Sequence, residues 1–173
     1  AFILQQFQTE KLADVAQDAL GNVYGRLPGK GEAPPVVISA HLDTVFPLNT
    51  PLQVTQRPER IAGPGIGDNS LGAAGLLGLL WALRSGTRSA VSSLPGDVWL
   101  VANVGEEGLG DLRGMKAVVE RFGNAPLAYI VLEGMALGQV YHRALGVQRY
   151  RISVQTTGGH SWVDYGRPSA IHE

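Results

Sequence analysis

The chain has 173 residues, a length that fits one domain or slightly more and allows a substantial hydrophobic core. Its 14 Lys and Arg residues nearly balance its 15 Asp and Glu residues, so the charge predicts no basic surface for nucleic acid or anionic lipid. The absence of cysteine excludes a disulfide scaffold, a thiolate metal site and a cysteine nucleophile.

Hydropathy and the two chain ends bear on location. The longest uncharged apolar segment, Ser70–Leu83, is shorter than the roughly 20 residues that a membrane-spanning helix needs, and no signal peptide is recognisable. We therefore expect no membrane partner and a cytoplasmic location. The chain starts with AFILQQ rather than Met and stops at SAIHE, so we expect it to be a piece of a longer protein.

The first part of the chain predicts a helix and then a hairpin. The helix runs from Phe2 to about Lys11, and the hairpin strands are Asp14–Gln17 and Val23–Leu27, with Gly-Asn supplying the turn. A helix over the first hairpin strand is the alternative, because four apolar residues also fit one helical face: Leu12, Val15, Ala16 and Leu20.

Three strands separated by helices are predicted next. The strands are Val36–Ala40, Asp97–Val104 and Leu127–Leu132, and the helices run from Asn69 to Trp81 or Arg84 and over Leu112–Phe122. Strands spaced by helices favour βαβ units, so we expect an α/β fold with a mostly parallel sheet and helices on both faces. The helix from Asn69 is apolar nearly all round, so we expect it to be largely buried.

The pattern changes near the end of the chain. Gln148–Thr156 alternates polar and apolar residues, as a strand with one solvated face does. We therefore expect two domains, residues 1–145 and 146–173.

Acidic and imidazole side chains follow the predicted strands and a glycine-rich loop. Ligands bind at the carboxyl ends of strands in open α/β sheets, so we expect these groups to converge at one edge: His41, Asp43, Asp68, Glu106, Glu107 and Glu133. So many carboxylates repel one another unless cations bind, and a histidine among them favours a transition metal. Zinc fits this donor set, and a carboxylate bridging two ions would give a two-metal hydrolytic site.

Each of these residues also has a structural explanation. A lone His41 is more often hydrogen-bonded than metal-bound, Asp68 can cap the following helix, and the Glu106-Glu107 pair can be solvated. Glu133 fits such an explanation poorly, because its surroundings, LAYIVLEGMALG, are otherwise uncharged and an unpaired carboxylate there is costly.

Two other site classes lack their motifs. The loop GPGIGDNSLG does not contain G-x-G-x-x-G, since Gly65 and Gly67 would require glycine where Ser70 stands, and no G-K-[ST] is present. A nucleotide-binding α/β domain is therefore disfavoured, and the glycines instead let the backbone turn so that Asp68 reaches inward. The chain has no G-x-S-x-G elbow, so a serine hydrolase is unsupported.

Five segments resemble a known family, in its order and over nearly the whole chain: SAHLDTVFP, GPGIGDNSLGAAGLLGLLWAL, VGEEGLGDLRG, the Glu133 segment and TTGGHS. The family is the co-catalytic zinc metallopeptidases, which include glutamate carboxypeptidase, peptidase T, aminoacylase, acetylornithine deacetylase and succinyl-diaminopimelate desuccinylase; peptidase T-like proteins are closest in character. The resemblance implies a zinc-dependent catalytic domain over 1–145 and the start of an α+β dimerisation or lid domain over 146–173.

The resemblance also implies metal ligands. His41 and Glu133 look like ligands of one zinc, Asp68 like the carboxylate bridging two zincs, and Glu107 like a ligand of the other. Co²⁺ or Mn²⁺ could substitute. Family members carry a last metal-binding histidine near the end of the catalytic domain, and this chain ends before that motif, so we expect one of the two metal positions to be incomplete.

Three further residues acquire roles through the same resemblance. Glu106 looks like the general base that takes a proton from water and returns it to the leaving amine. Asp43 resembles the carboxylate that orients His41. His160 resembles the histidine of the smaller domain that stabilises the oxyanion, often in the partner subunit of a homodimer.

The predicted function is metal-dependent hydrolysis of an amide bond in small peptides, of the exopeptidase type. An N-acyl-amino-acid deacylase is the alternative within the family, and a metal-binding pseudoenzyme or regulatory module is the alternative of another class. The intact Glu106 argues against a pseudoenzyme. We expect residues 1–173 alone to be weak or inactive, because substrate-binding segments of family members lie beyond them.

Overall fold

The computed structural model describes residues 2–85, 94–134 and 138–171. The chain divides into two compact units, Ala1–Gly138 and Gln139–Glu173. All helices and strands of the described residues lie in the first unit: α1 (Phe2–Thr9), β1 (Ala13–Gln17), β2 (Val23–Leu27), β3 (Val36–His41), β4 (Thr55–Arg57), β5 (Arg60–Ala62), α2 (Leu71–Ser85), β6 (Val98–Asn103), α3 (Arg113–Phe122) and β7 (Ala128–Val131).

Five strands form a mixed sheet in the order β1-β2-β6-β3-β7. Strands β6, β3 and β7 are parallel, with Val36 opposite both Val98 and Ala128, and His41 opposite Asn103. Strand β2 pairs antiparallel with both β1 and β6. The α/β class is confirmed, but the sheet is mixed rather than mostly parallel, because the predicted hairpin joins it through β2, which runs antiparallel to β6.

Buried side chains form two clusters. One joins α1 and α2 to the sheet and includes Phe7, Leu76, Leu77, Leu80, Ile38, Ala40, Leu100 and Ala102. The other joins α3 to Tyr24, Val37 and Val101 through Val118. Successive strand residues point to opposite faces, so the alternation places His41 and Asn103 with the α3 cluster, side by side at the ends of adjacent strands.

The β1–β2 turn is held by the Asp18 carboxylate, and the helical alternative for this segment is wrong. Asp18 Oδ1 accepts the backbone N–H groups of Leu20, Gly21 and Asn22, and Oδ2 accepts the Asn22 amide and the Tyr24 hydroxyl, at 2.8 to 3.0 Å. The same Asn22 side chain donates to the Gly114 carbonyl and accepts the Val104 N–H, which ties the turn to β6 and α3.

Helix α2 is buried on one face only. Leu76, Leu77 and Leu80 pack into the core, whereas Leu71 is 56% exposed and Trp81 is 49% exposed. The prediction of a largely buried helix is therefore wrong, since α2 meets the sheet on one side only among the described residues. By length and composition alone the stretch Ile66–Ser85 would also pass for a membrane span, but three of its leucines belong to the core.

The structure departs from the predicted elements at two further places. The small antiparallel pair β4–β5 was not predicted; its residues are all exposed, so no apolar pattern marks it. The predicted strand Gln148–Thr156 is wrong, because the described residues 139–171 contain turns and irregular chain only and offer it no pairing partner. Residues 172–173 of the predicted second domain lie outside the described residues.

Replacing Asp18 with Ala should destabilise the first unit by about 2 to 4 kcal/mol, because the substitution leaves partly buried N–H and O–H donors without an acceptor. Urea unfolding measures the loss. Asp14→Asn is the control in the same hairpin: it removes the charge of a half-exposed partner of Arg26, tolerates the positive φ of this position, and should cost less than about 1 kcal/mol. Equal losses in the two variants would contradict the proposed contribution of the Asp18 hydrogen bonds to stability.

Asp18 should also make stability depend on acid pH. Burial raises the pKa of this carboxyl, but the hydrogen bonds from Tyr24, Asn22 and Gly21 outweigh burial and hold the pKa below its ordinary value. The stabilisation is therefore complete above about pH 4, where an unfolded Asp is ionised, and is lost as the pH falls through the lower folded pKa. The difference in unfolding free energy between wild type and Asp18→Asn should be smaller at pH 3 than at pH 6. An equal difference at the two pH values would contradict this.

Candidate metal centre

His41 ends β3 with a side chain that is only 2% exposed. Its Nδ1 lies 3.0 Å from the backbone carbonyl oxygen of Asp43. A carbonyl oxygen can only accept, so Nδ1 donates a proton here, and Nε2 is the ring nitrogen that meets the acidic side chains. Nε2 lies 3.0 Å from Asp68 Oδ1 and 3.4 Å from Glu133 Oε2.

Asn69 brings Asp68 and Glu133 together. Asp68 lies in the π-helical turn Ile66–Ser70, where its own backbone dihedral angles and those of Asn69 are not helical. The Asn69 amide donates to the Leu132 carbonyl at 2.9 Å, and its Oδ1 accepts the Gly72 N–H at 2.9 Å. Asn69 therefore bonds the first turn of α2, which leaves the Asp68 carboxylate available, and it links the Asp68 turn to the segment after β7.

Gly134 allows this close approach. A Cβ atom at Gly134 would collide with the backbone carbonyl oxygen of Gly67. A larger residue would therefore push the Glu133 segment away from the Asp68 turn.

Glu106 and Glu107 follow β6 and also come close to His41. One ligand atom from each of His41, Glu106 and Glu107 lies within 4.8 Å of the other two, and the same holds for His41, Asp68 and Glu133. His41 is thus shared by two candidate metal-binding groups. The sequence-based hypothesis differs from the group of His41, Glu106 and Glu107. It pairs Glu107 with Asp68 as metal ligands and assigns Glu106 to proton transfer.

The carboxylates perturb one another. Burial raises the pKa of Glu107, and the negative charges of Asp68 and Glu106 raise it further, while His41 acts in the opposite direction. Burial also raises the pKa of Asp43, but the backbone N–H groups of Glu107 and Glu106 outweigh burial and lower it. The cluster therefore concentrates negative charge around one buried imidazole.

Two oxygens fit a bound cation. Asp68 Oδ1 and Glu107 Oε1 are buried and accept no hydrogen bond, although Asp68 Oδ1 lies 3.0 Å from His41 Nε2. A buried carboxylate oxygen without a donor is costly, and both of these oxygens lack one. A divalent metal ion would satisfy both groups, and an imidazole with several carboxylates is a zinc-type donor set.

His160 belongs to the second unit and sits in a local turn. Its Nδ1 accepts the backbone N–H groups of Trp162 and Val163 at 3.3 and 3.4 Å, so its Nε2 carries the proton. Its own N–H donates to Asp164 Oδ2 at 2.8 Å. The role of His160 at the metal centre stays a prediction.

Sequence reasoning missed two asparagines of the centre. The sequence pattern predicts Asn69 only as the start of a helix and Asn103 only as part of a strand. Asn103 is 3% exposed, lies opposite His41 on β6, and its Oδ1 is buried without a hydrogen-bond partner. The signal is present in DVWLVANV, where Asn103 is the one amide side chain in the apolar run after Asp97.

Comparisons with known proteins bear on the fold and on the family. No curated protein matches the chain, but seventeen chains of solved structures do. One is a tripeptidase from Staphylococcus aureus subsp. aureus Mu50, with 22% sequence identity and a TM-score of 0.59, over 78% of this chain and 37% of that one. The likeness shows a shared fold, and the chain spans little more than a third of the tripeptidase's length.

A family model places the chain more specifically. The model of Peptidase family M28 matches residues 22–147, which contain His41, Asp68, Glu106-Glu107 and Glu133. The narrower resemblance to peptidase T, aminoacylase and their relatives stays a prediction. The chain belongs to Peptidase family M28.

Proposed function

We propose that the protein hydrolyses an amide bond of small peptides, as an exopeptidase, at a divalent-metal centre that contains His41. The observation that carries the proposal is the convergence of the buried His41 Nε2 with Asp68 Oδ1 at 3.0 Å and Glu133 Oε2 at 3.4 Å, where Asp68 Oδ1 accepts no hydrogen bond. Peptidase family M28 is typically zinc-dependent, which supports a catalytic rather than a structural metal.

The donor atoms divide between two ions. His41, Asp68 and Glu133 would hold one Zn²⁺, and Asp68 and Glu107 would contribute to the second, with Asp68 as the bridge. The unpartnered oxygens of Asp68 and Glu107 support this division. When bound, zinc polarises the scissile carbonyl and lowers the pKa of a bound water.

Glu106 is the proposed general base. It takes a proton from the attacking water as the water oxygen bonds to the carbonyl carbon, and it delivers that proton to the amine as the C–N bond breaks. Glu106 suits this role because it neighbours Glu107 and comes close to His41.

His160 is the proposed oxyanion donor. Its Nδ1 already accepts two backbone N–H groups, which leaves the proton on Nε2 for a hydrogen bond to developing negative charge. A homodimer in which the partner subunit supplies this histidine is the arrangement that the family resemblance implies.

Replacing Glu106 with Gln should leave the metal bound but lower kcat by about 10² to 10⁴, because Gln cannot accept the proton from water. Metal content and turnover of dipeptides and tripeptides, both measured on the purified wild type and on Glu106→Gln, test the two effects. Glu120→Gln, on the exposed side of α3, is a control that should retain activity. Unchanged turnover in Glu106→Gln would refute its role as the base.

Replacing Asp68 with Ala should remove metal binding, since Asp68 offers a buried oxygen to both proposed ions. Zinc at about a hundred times its dissociation constant stabilises a folded protein by about 2.7 kcal/mol, so the wild type should melt at a higher temperature with zinc than with a chelator. Asp68→Ala should lose that difference, and Asp111→Ala, an exposed partner of Lys116, should keep it. A zinc-dependent rise that survives in Asp68→Ala would place the metal elsewhere.

A panel of dipeptides, tripeptides and N-acetyl amino acids separates the peptidase from the deacylase. Both reactions break an amide bond and use the same groups, so the site geometry alone favours neither. We expect faster turnover of the peptides, measured as kcat/KM in the presence of zinc. Preference for N-acetyl amino acids would assign the deacylase, and metal binding without turnover of either class would assign the pseudoenzyme.

A further inference from the structure

The Asp43 carboxylate binds two successive backbone amides across the sheet edge. Its Oδ1 accepts the N–H of Glu106 at 3.1 Å, and its Oδ2 accepts the N–H of Glu107 at 2.9 Å. Asp43 follows β3, and the two glutamates follow the neighbouring strand β6. Both oxygens of one carboxylate are therefore engaged by the segment that carries the proposed base.

His41 uses a different part of residue 43. Its Nδ1 donates to the backbone carbonyl of Asp43 at 3.0 Å, whereas the nearest Asp43 carboxylate oxygen lies 3.7 Å from Nδ1. The longer distance lies beyond hydrogen-bond range. The ring orientation and tautomer of His41 are thus fixed by a main-chain group, which any residue at position 43 would supply.

The Glu106–Glu107 segment needs such an acceptor. Strand β6 ends at Asn103, and the next regular element is the 3₁₀ turn Gly108–Gly110, so neither a strand ladder nor a helix engages the two amides. The segment also carries two adjacent carboxylates that repel each other. Two charge-assisted hydrogen bonds fix its backbone while the Glu side chains stay free to face the site.

We infer that the Asp43 carboxylate is a positioning residue for the Glu106–Glu107 segment, and that the Asp43 backbone carbonyl, not its side chain, orients His41. This replaces the role that the family resemblance implied for Asp43. The inference rests on the proposed function only where it treats Glu106 as the base and Glu107 as a ligand. The hydrogen bonds that it concerns are independent of turnover.

Amide hydrogen exchange tests the inference without reference to activity. In metal-free protein, Asp43→Ala should speed exchange at the Glu106 and Glu107 amides on the order of ten- to a hundredfold. Asp43→Asn keeps one acceptor oxygen and turns an NH₂ group toward the other amide, so one of the two amides should stay protected. Asp111→Asn, an exposed carboxylate of the same loop region, should change neither.

The ¹⁵N chemical shifts of the His41 imidazole supply the second readout. They report which ring nitrogen carries the proton, and they should be nearly the same in wild type, Asp43→Asn and Asp43→Ala. Unchanged exchange at Glu106 and Glu107, together with a changed tautomer of His41, would overturn the inference and restore the role of orienting the histidine.

A measurement on the wild type covers the case in which Asp43→Ala does not fold. Scalar coupling across a hydrogen bond should connect the amide ¹⁵N nuclei of Glu106 and Glu107 to the carboxyl ¹³C of Asp43. Coupling from these amides to a different acceptor would contradict the inference.

Kinetics separate this inference from the proposed function. If both hold, Asp43→Ala should lower kcat about ten- to a hundredfold and change KM less than about threefold, because a loosened base affects the reaction more than binding. If the wild type shows no turnover but Asp43→Ala frees the two amides, the proposed function fails and the positioning role stands. A rise in KM with unchanged kcat would contradict the positioning role in catalysis.

Discussion

The structure of the centre depends on one contact, between the buried Nε2 of His41 and the carboxylate oxygens of Asp68 and Glu133. Water is largely excluded from His41, so the imidazole depends on these neighbours rather than on solvent for its polar contacts. A divalent cation bound there would hold the imidazole and the mutually repelling carboxylates together. So many acidic groups around one buried imidazole are costly as a structural polar cluster, and they suit the metallopeptidase family to which the chain belongs.

The ligands are held by neutral and main-chain groups. The Asp43 carbonyl sets His41, the Asn69 amide joins the Asp68 turn to the chain beside Glu133, and Gly134 removes the side chain that would separate them. None of these contacts uses a carboxylate of the candidate ligands. Such support preorganises a metal site without competing for its donors.

The sequence predicted the elements with strong local signals and missed those defined by distant partners. The hairpin and the strand before His41 were predicted to within a residue or two, because turn residues and apolar runs mark them. The mixed sheet could not be predicted, since nothing local states that β2 lies beside β6. The convergence of His41, Asp68 and Glu133 could be predicted, because ligands bind at the carboxyl ends of the strands. The structural roles of Asn69 and of the Asp43 carboxylate could not, because they depend on hydrogen bonds between segments that are distant in the sequence.

The register of the three parallel strands has a consequence for how the protein folds. His41 follows β3, the glutamate pair follows β6 and Glu133 follows β7, so the donors meet only after strands that are remote in the chain have paired. Contacts of such high sequence separation form late, because the loops between them must close first. A metal ion that takes donors from all three strands would therefore bind tightly only once the parallel half of the sheet is complete.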